Sequence, residues 1–244
     1  MFVELGHIAN VNLGFKSLQN SFYYVNKATI ESYGIEGRFL TPVVMLKDLR
    51  GSVYEQAPGA GLWLFNCKDK EADLRGTGAL RYIEAMAIRS ASDKKQAGKA
   101  QTIRTVLEAQ SGGLWYAPKA RPNRHHIWVR KAYNAVFAPF LFGKATLVDQ
   151  RCNSVSPLGG VEWKELAAVL TTSLFAYSLE INGAASMGAG ALEAPTTKLR
   201  SYPVLDASQL NPKMRKELVA LAETVWGAEA PSIGPRRALS PAPR

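Results

Sequence analysis

Cysteine is scarce in this sequence, acid is scarce in its middle third, and the common catalytic signatures are missing together. The 244 residues hold two cysteines, Cys67 and Cys152. They stand far apart with no metal-type spacing, which argues against a zinc site or a disulfide framework and suits a reducing cytoplasm. No apolar run reaches the roughly 18 residues of a transmembrane helix, so none is expected. The opening MFVELGHIANVNLG lacks a basic stretch followed by an apolar one, so a secretory signal is not expected either. There is no GxGxxG or GxxxxGK[ST] phosphate loop and no GxSxG elbow. Gly188-Ala189-Gly190 lies in an Ala/Gly/Ser stretch, the wrong context for a dinucleotide turn. His125 and His126 are adjacent rather than four apart and have few carboxylates nearby, so no metal site is expected. No Asp/Glu cluster resembles a two-metal nuclease. Neither catalytic residues nor a cofactor are expected on this chain.

What is present is positive charge, and its placement matters more than its total of +10. Residues 1–60 are neutral and 161–210 slightly acidic. Residues 111–160 hold seven Lys/Arg against one acid, Asp149. A local excess of that kind attracts a polyanion such as nucleic acid. Charge alone fits a solvated basic face equally well.

Hydrophobic content of 47% and charged content of 20% are those of a globular chain. We read one domain over residues 1–226, either undivided or in two lobes of about 1–110 and 111–226. A disordered tail, 227–244, follows with Pro231, Pro235, Pro241 and Pro243. The patterning predicts short strands over 5–13 and 22–25 around a polar turn, then over 41–46 and 61–66. Helical spacing follows over 77–90, with Leu80, Ile83, Ala87 and Ile88 on one face, and over 102–108. Trp115-Tyr116 and Ile127-Trp128-Val129 read as strands flanking a basic loop, with more strands in 140–148 and 151–156. Apolar steps of three and four predict one long helix over 162–181 and a second over 211–226, separated by a Gly/Ala/Ser loop at 183–194 and a short extended piece at 202–204. The fold class is therefore α+β, with an irregular mixed or antiparallel sheet and two longer C-terminal helices.

Two constellations could carry recognition chemistry. Residues 14–21 place Lys16, Ser17, Gln19 and Asn20 between apolar segments. Gln and Asn can bond an adenine edge with two hydrogen bonds, and Lys can bond guanine or phosphate. A plain turn has the same composition. Residues 115–131 interleave aromatics with Lys119, Arg121, Asn123, Arg124, His125, His126 and Arg130. Arg and Lys neutralise phosphates and Arg reads guanine. Pro118 and Pro122 stiffen the loop. We expect Trp115, Ile127 and Trp128 in the core, with Arg121, Arg124 and the histidines exposed. Lys144 and Arg151 could add contacts or simply be solvated strand ends.

The order of these features resembles the target-recognition region that lies C-terminal to the catalytic domain in amino-type (N6-adenine) DNA methyltransferases, including fused type II restriction–modification enzymes. Asn12-Leu13-Gly14-Phe15-Lys16-Ser17-Leu18-Gln19-Asn20-Ser21-Phe22-Tyr23 is similar to that family's G-x-x-[ST]-G-x-N-x-[FY]-[FY] opening. Gly37-Arg38-Phe39-Leu40-Thr41-Pro42-Val43-Val44 is similar to its x-x-[LI]-x-P-[LVI]-[IV] strand, and 121–128 to its R-x-x-W-[WY] segment. Leu166-Ala167-Ala168-Val169-Leu170-Thr171-Thr172-Ser173-Leu174 looks like its L-x-x-[IL]-L-N-S helix. Gly188-Ala189-Gly190-Ala191-Leu192-Glu193-Ala194 and Leu199-Arg200-Ser201-Tyr202-Pro203-Val204 look like its closing motif. The likeness spans about residues 5–225. Leu18 stands where a glycine is usual and Thr172 where an asparagine is usual.

The family's cofactor-binding half and its adenine-clamping [NDS]PP[YFW] tetrapeptide have no counterpart here. The resemblance thus implies a cytoplasmic module that recognises double-stranded DNA without transferring methyl groups. Its implied partner is a methyltransferase catalytic domain or subunit that binds S-adenosylmethionine and flips the adenine. In this picture Lys144, Arg151, Lys198 and Arg200 hold the DNA backbone while the two loops enter the grooves. The other readings are an accessory protein-interaction subunit, using the helix at 211–226, and a nuclease with an unrecognised metal site.

Overall fold

The structure is a computed structural model that describes residues 2–49, 54–55, 61–91, 101–133, 138–184 and 191–226, with backbone only at 54–55. The expected tail, most of the polar stretch at 90–99 and the Gly188-Ala189-Gly190 motif lie outside the described residues. The chain forms two units, each built from separated stretches. The first comprises Met1–Gly14, Leu46–Ala57 and Arg124–Arg244, and the second Phe15–Met45 and Pro58–Asn123.

In chain order the first unit opens with β1 (Phe2–Glu4), a helical turn α1 (Leu5–Ile8) and β2 (Ala9–Leu13). The second unit follows with α2 (Asn20–Tyr23), β3 (Tyr24–Val25), α3 (Lys27–Tyr33) and β4 (Leu40–Val43). The chain returns to the first unit for β5 (Tyr54–Glu55). It then completes the second with β6 (Leu62–Phe65), α4 (Gly78–Ala87) and α5 (Ile103–Glu108). The remainder belongs to the first unit: β7 (His125–Arg130), β8 (Ala132–Tyr133), β9 (Phe140–Thr146), β10 (Cys152–Pro157), α6 (Trp163–Leu170), α7 (Ser173–Asn182), β11 (Leu192–Glu193), α8 (Thr196–Leu199), β12 (Pro203–Leu205) and α9 (Pro212–Val225). This is the α+β class with mixed and antiparallel sheets that the patterning indicated.

The first unit centres on a five-stranded sheet in the order β2-β10-β7-β9-β5. Its pairs are antiparallel except β5 with β9, which is parallel. Val155 pairs with Val11 on one side and Ile127 on the other, so three apolar side chains share a face. That face joins Leu166, Val169 and Leu170 of α6 in one buried cluster. Burial of such a cluster is the main stabilising term in a unit of this kind. Asn211 caps α9 by accepting from the Met214 N–H at 2.9 Å, and Pro212 opens the helix.

Residues 162–181 are two helices rather than one. Thr172 adopts an extended ψ of 152° and its side chain accepts from the Phe175 N–H, capping α7. The hydroxyls of Thr171 and Thr172 also donate to the carbonyls of Ala168 and Val169, at 3.0 and 2.7 Å. Two successive hydroxyls that bond backbone groups locally favour a helix end over continuation. Apolar periodicity runs through both helices and so conceals the break.

The second unit packs a three-stranded sheet, β3-β6-β4, against short capped helices. Asn26, Thr77 and Thr102 each accept from the backbone N–H three residues on, starting α3, α4 and α5. The core is aromatic. Phe22 stacks on Tyr82 at 5.5 Å and lies 5.3 Å from Trp115, while Phe65 meets both Phe22 and Tyr82 edge to face. The helix at 78–87 buries Ala79, Tyr82, Ile83 and Met86, so the face containing Ile83 is rotated from the one expected, and Ile88 is 81% exposed. Trp115 and Tyr116 lie in a turn, not a strand, because Tyr116 donates to the Asp69 carbonyl at 2.7 Å and Trp115 is drawn into the aromatic core. Phe22 and Tyr23 belong to a helical turn for the same reason; only Tyr24 and Val25 are strand.

Candidate nucleic-acid interface

The segment 14–21 does not connect a hairpin, because β2 pairs with β10 and β3 with β6. Gly14 closes β2. Its N–H donates to the Cys152 carbonyl at 2.8 Å, and a Cβ there would stand 2.1 Å from the Asp149 carbonyl oxygen. No other residue type fits that approach. The following residues belong to the second unit. Lys16 is exposed. Ser17 is only 3% exposed and its hydroxyl donates to Asn20 Oδ1. Leu18 has φ +64°, the one positive φ among non-glycine described residues. It stands where the resembling family has glycine, and the backbone keeps the left-handed shape that glycine would adopt freely. Gln19 Nε2 donates to Ser21 Oγ and to the Ala91 carbonyl, both at 2.8 Å. Asn20 is exposed.

The basic loop divides between the units after Asn123. In the second unit, Lys119, Arg121 and Asn123 are exposed. Lys119 donates to the Gln110 carbonyl at 2.8 Å. Arg121 and Asn123 make no side-chain hydrogen bond among the described residues. The roots of this loop and of 15–21 are adjacent: Phe22 packs on Trp115, and Tyr23 donates to the Ala117 carbonyl at 3.1 Å. The second unit therefore brings Lys16 and Asn20, the first residue of α2, together with Lys119, Arg121 and Asn123 onto two segments that share one aromatic footing. Burial holds the Tyr23 and Tyr116 hydroxyls protonated, each pushed up to about 12.

In the first unit Arg124 is exposed, but the two histidines are not the open residues expected. His126 stacks on Trp163 at 4.5 Å and 10°, with its Nδ1–H donating to the Phe142 carbonyl at 2.8 Å. His125 lies edge-on to Trp128, and burial, then the neighbouring His126, lowers its pKa. Both rings serve packing because β7 lies inside the sheet. Arg130 is half-buried with its guanidinium 4.7 Å above the Phe140 ring. Lys144, Arg151 and Lys198 are exposed. Arg200 binds the Val11 carbonyl through Nε and a terminal nitrogen, at 3.2 and 2.7 Å. That contact caps the outer edge strand β2, a structural task beside any phosphate contact.

Residue types alone did not reveal the buried polar groups that tie the first unit together. Asn153 is fully buried on β10, donating to the Ala194 carbonyl at 2.9 Å and accepting from the Thr196 hydroxyl at 2.7 Å. Asp149, conspicuous in the sequence as the lone acid of its region, is buried and accepts from the Leu46 N–H at 3.2 Å. Burial raises its pKa against the pull of that N–H and of Arg151. The buried thiols of Cys67 and Cys152 are pushed up to about 11 and 12, so neither is an activated nucleophile. Among the described residues no three His, Cys, Asp or Glu side chains are grouped to hold a metal. No described helix is long and apolar enough to cross a membrane.

No protein-family model matches this chain, and no curated protein does. Solved structures do. The type IIG restriction endonuclease BpuSI superposes with a TM-score of 0.54 at 10% identity, over 91% of this chain. The chain shares its fold with part of that enzyme. It spans 26% of the BpuSI chain. Two further structures are similar at a lower level. The HsdS subunit from Thermoanaerobacter tengcongensis shows 13% identity and a TM-score of 0.43, and the type I restriction-modification system S subunit from M. genitalium shows 10% and 0.37. Each is covered over 37% of its length by 92% of this chain.

Proposed function

We propose that this chain is a double-stranded DNA target-recognition module of a restriction–modification system, acting beside a catalytic domain or subunit that carries the chemistry. The observation that carries the reading is the fold shared with BpuSI, which takes in nearly all of this chain but only a quarter of that restriction endonuclease. On this reading the chain corresponds to one part of such an enzyme. The ordered motif resemblance supports the choice of component. So do the exposed Lys16, Arg121, Asn123, Arg124, Lys144 and Arg151, which present donors suited to phosphates and base edges. The partner on this reading is a DNA adenine methyltransferase catalytic part that binds S-adenosylmethionine, and the setting is the cytoplasm. This chain's share is to bind and register the duplex, while methyl transfer belongs to the partner.

The test is duplex-DNA binding by the pure protein, followed by fluorescence anisotropy across a salt series. The Arg121→Ala/Arg124→Ala double variant is expected to bind about tenfold more weakly and to lower the salt slope by about two, since each phosphate contact contributes about 0.9. An unchanged slope in the double variant contradicts the placement of the interface.

A further inference from the structure

The candidate loop at 16–20 holds four polar residues, and the structure leaves only some of them able to meet a base. Ser17 is buried and its hydroxyl is engaged by Asn20. Both N–H groups of the Gln19 amide have acceptors, one on Ser21 and one on Ala91. Asn20 is different. It is exposed, its Nδ2 has no partner among the described residues, and its Oδ1 accepts one hydrogen bond, from Ser17. A carbonyl oxygen has two acceptor sites. Asn20 therefore presents one free acceptor and two free donors on a planar group whose orientation is already set.

We propose that Asn20 is the adenine-reading residue of this module and that buried Ser17 is its positioning residue. The proposal rests on the DNA-recognition reading above. Adenine shows an acceptor, N7, beside a donor, N6–H, in the major groove, and an amide satisfies both at once. Guanine shows two acceptors there and would leave Oδ1 without a donor, whereas cytosine would leave Nδ2 without an acceptor. An unrestrained amide can present either end. Here the Ser17 hydroxyl donates to Oδ1, which sets the oxygen end of the amide toward Ser17 and leaves the Nδ2 end facing outward. The left-handed turn at Leu18 brings the Ser17 hydroxyl back to Asn20. Two and three residues after Asn20, Phe22 and Tyr23 are buried and packed edge to face at 4.9 Å. A reading group held by a buried partner and rooted in a packed core is preorganised, which raises discrimination for a given contact. Exposed Lys16, four residues earlier, supplies a charge for the neighbouring phosphate.

The experiment selects duplexes from a randomised library with the full chain. It then measures affinity for the selected site with each base pair exchanged in turn. Wild type is expected to require an A·T pair at one position that Asn20→Ala no longer distinguishes. Discrimination there should fall about ten- to hundredfold, with the other positions unchanged. Asn20→Asp keeps the shape but offers acceptors only, so preference at that position is expected to shift toward cytosine. Ser17→Ala should relax the same position several-fold while the thermal midpoint stays near that of wild type. Lys16→Ala should weaken all sequences alike. Asn20 variants that leave every base preference intact, or weaken all sites uniformly, overturn the assignment to Asn20. A Ser17→Ala protein that discriminates as wild type does overturns the positioning role. A wild-type chain that binds duplexes without selecting any sequence refutes the recognition function itself, and the inference falls with it.

Discussion

Gly14→Ala is the sharpest test of how the first unit fixes the end of β2. The Gly14 N–H meets the Cys152 carbonyl at 2.8 Å, and its Cα lies against the turn that carries Asp149. An added Cβ would sit 2.1 Å from one backbone oxygen and 2.9 Å from another. Backbone cannot give way as the tip of a flexible side chain can, so β2 must withdraw from the turn. Overpacking of this kind costs roughly 1–3 kcal/mol, and the strained buried hydrogen bond adds about 1 kcal/mol. For a chain of this size each kcal/mol moves the midpoint by about 2–4 °C, so a fall of about 5–15 °C is expected. Gly112→Ala is the control, because nothing lies within 4 Å of its Cβ position; it should stay within about 0.5 kcal/mol of wild type. Thermal unfolding followed by far-UV circular dichroism measures both. A Gly14→Ala protein within about 2 °C of wild type would show that β2 and the Asp149 turn have room for a Cβ there.

Three further perturbations follow from single features. Leu18→Gly should be nearly neutral in urea unfolding, since relief of the left-handed strain offsets the lost apolar contact. Leu18→Ile should cost about 1–2 kcal/mol because a β-branched residue resists φ +64°. Thr172→Ala removes the cap of α7 and should cost about 1 kcal/mol; an unchanged urea midpoint would deny the two-helix arrangement. Burial lowers the pKa of His125 in the folded chain. The unfolded chain therefore binds more protons below about pH 6.5, and stability should decline as pH falls from there through the depressed folded value. His125→Gln should flatten the stability–pH curve in that window.

The strands at 62–65, 125–130, 140–146 and 152–157 were legible because β-rich apolar runs lie between turn residues, and α9 because Asn211-Pro212 marks its start. The breaks were hidden where two signals overlap. At Thr171-Thr172 the apolar stripe continues across a cap. At Trp115-Tyr116 β-forming aromatics were claimed by a core whose other members, Phe22, Phe65 and Tyr82, are distant in sequence. Charge marked the region that carries the exposed Arg121 and Arg124 but could not separate them from Arg130, His125 and His126, which the sheet takes up. That division follows from where β7 begins: Arg121 and Arg124 precede it, whereas His125, His126 and Arg130 belong to a strand flanked by β10 and β9. Single residue types carried the least. Ser17, Gln19 and Asn20 look equivalent as a polar loop, and only their hydrogen bonds assign two of them to holding and one to facing outward.

On the proposed function, this chain binds double-stranded DNA through basic side chains exposed on each of its two units. The most direct measurement of that binding is the dependence of duplex affinity on salt. With Lys16, Arg121, Arg124, Lys144 and Arg151 on phosphates, log K is predicted to fall with log salt concentration at a slope of about −4.5. A slope near zero, or no measurable affinity at low salt, would contradict the account.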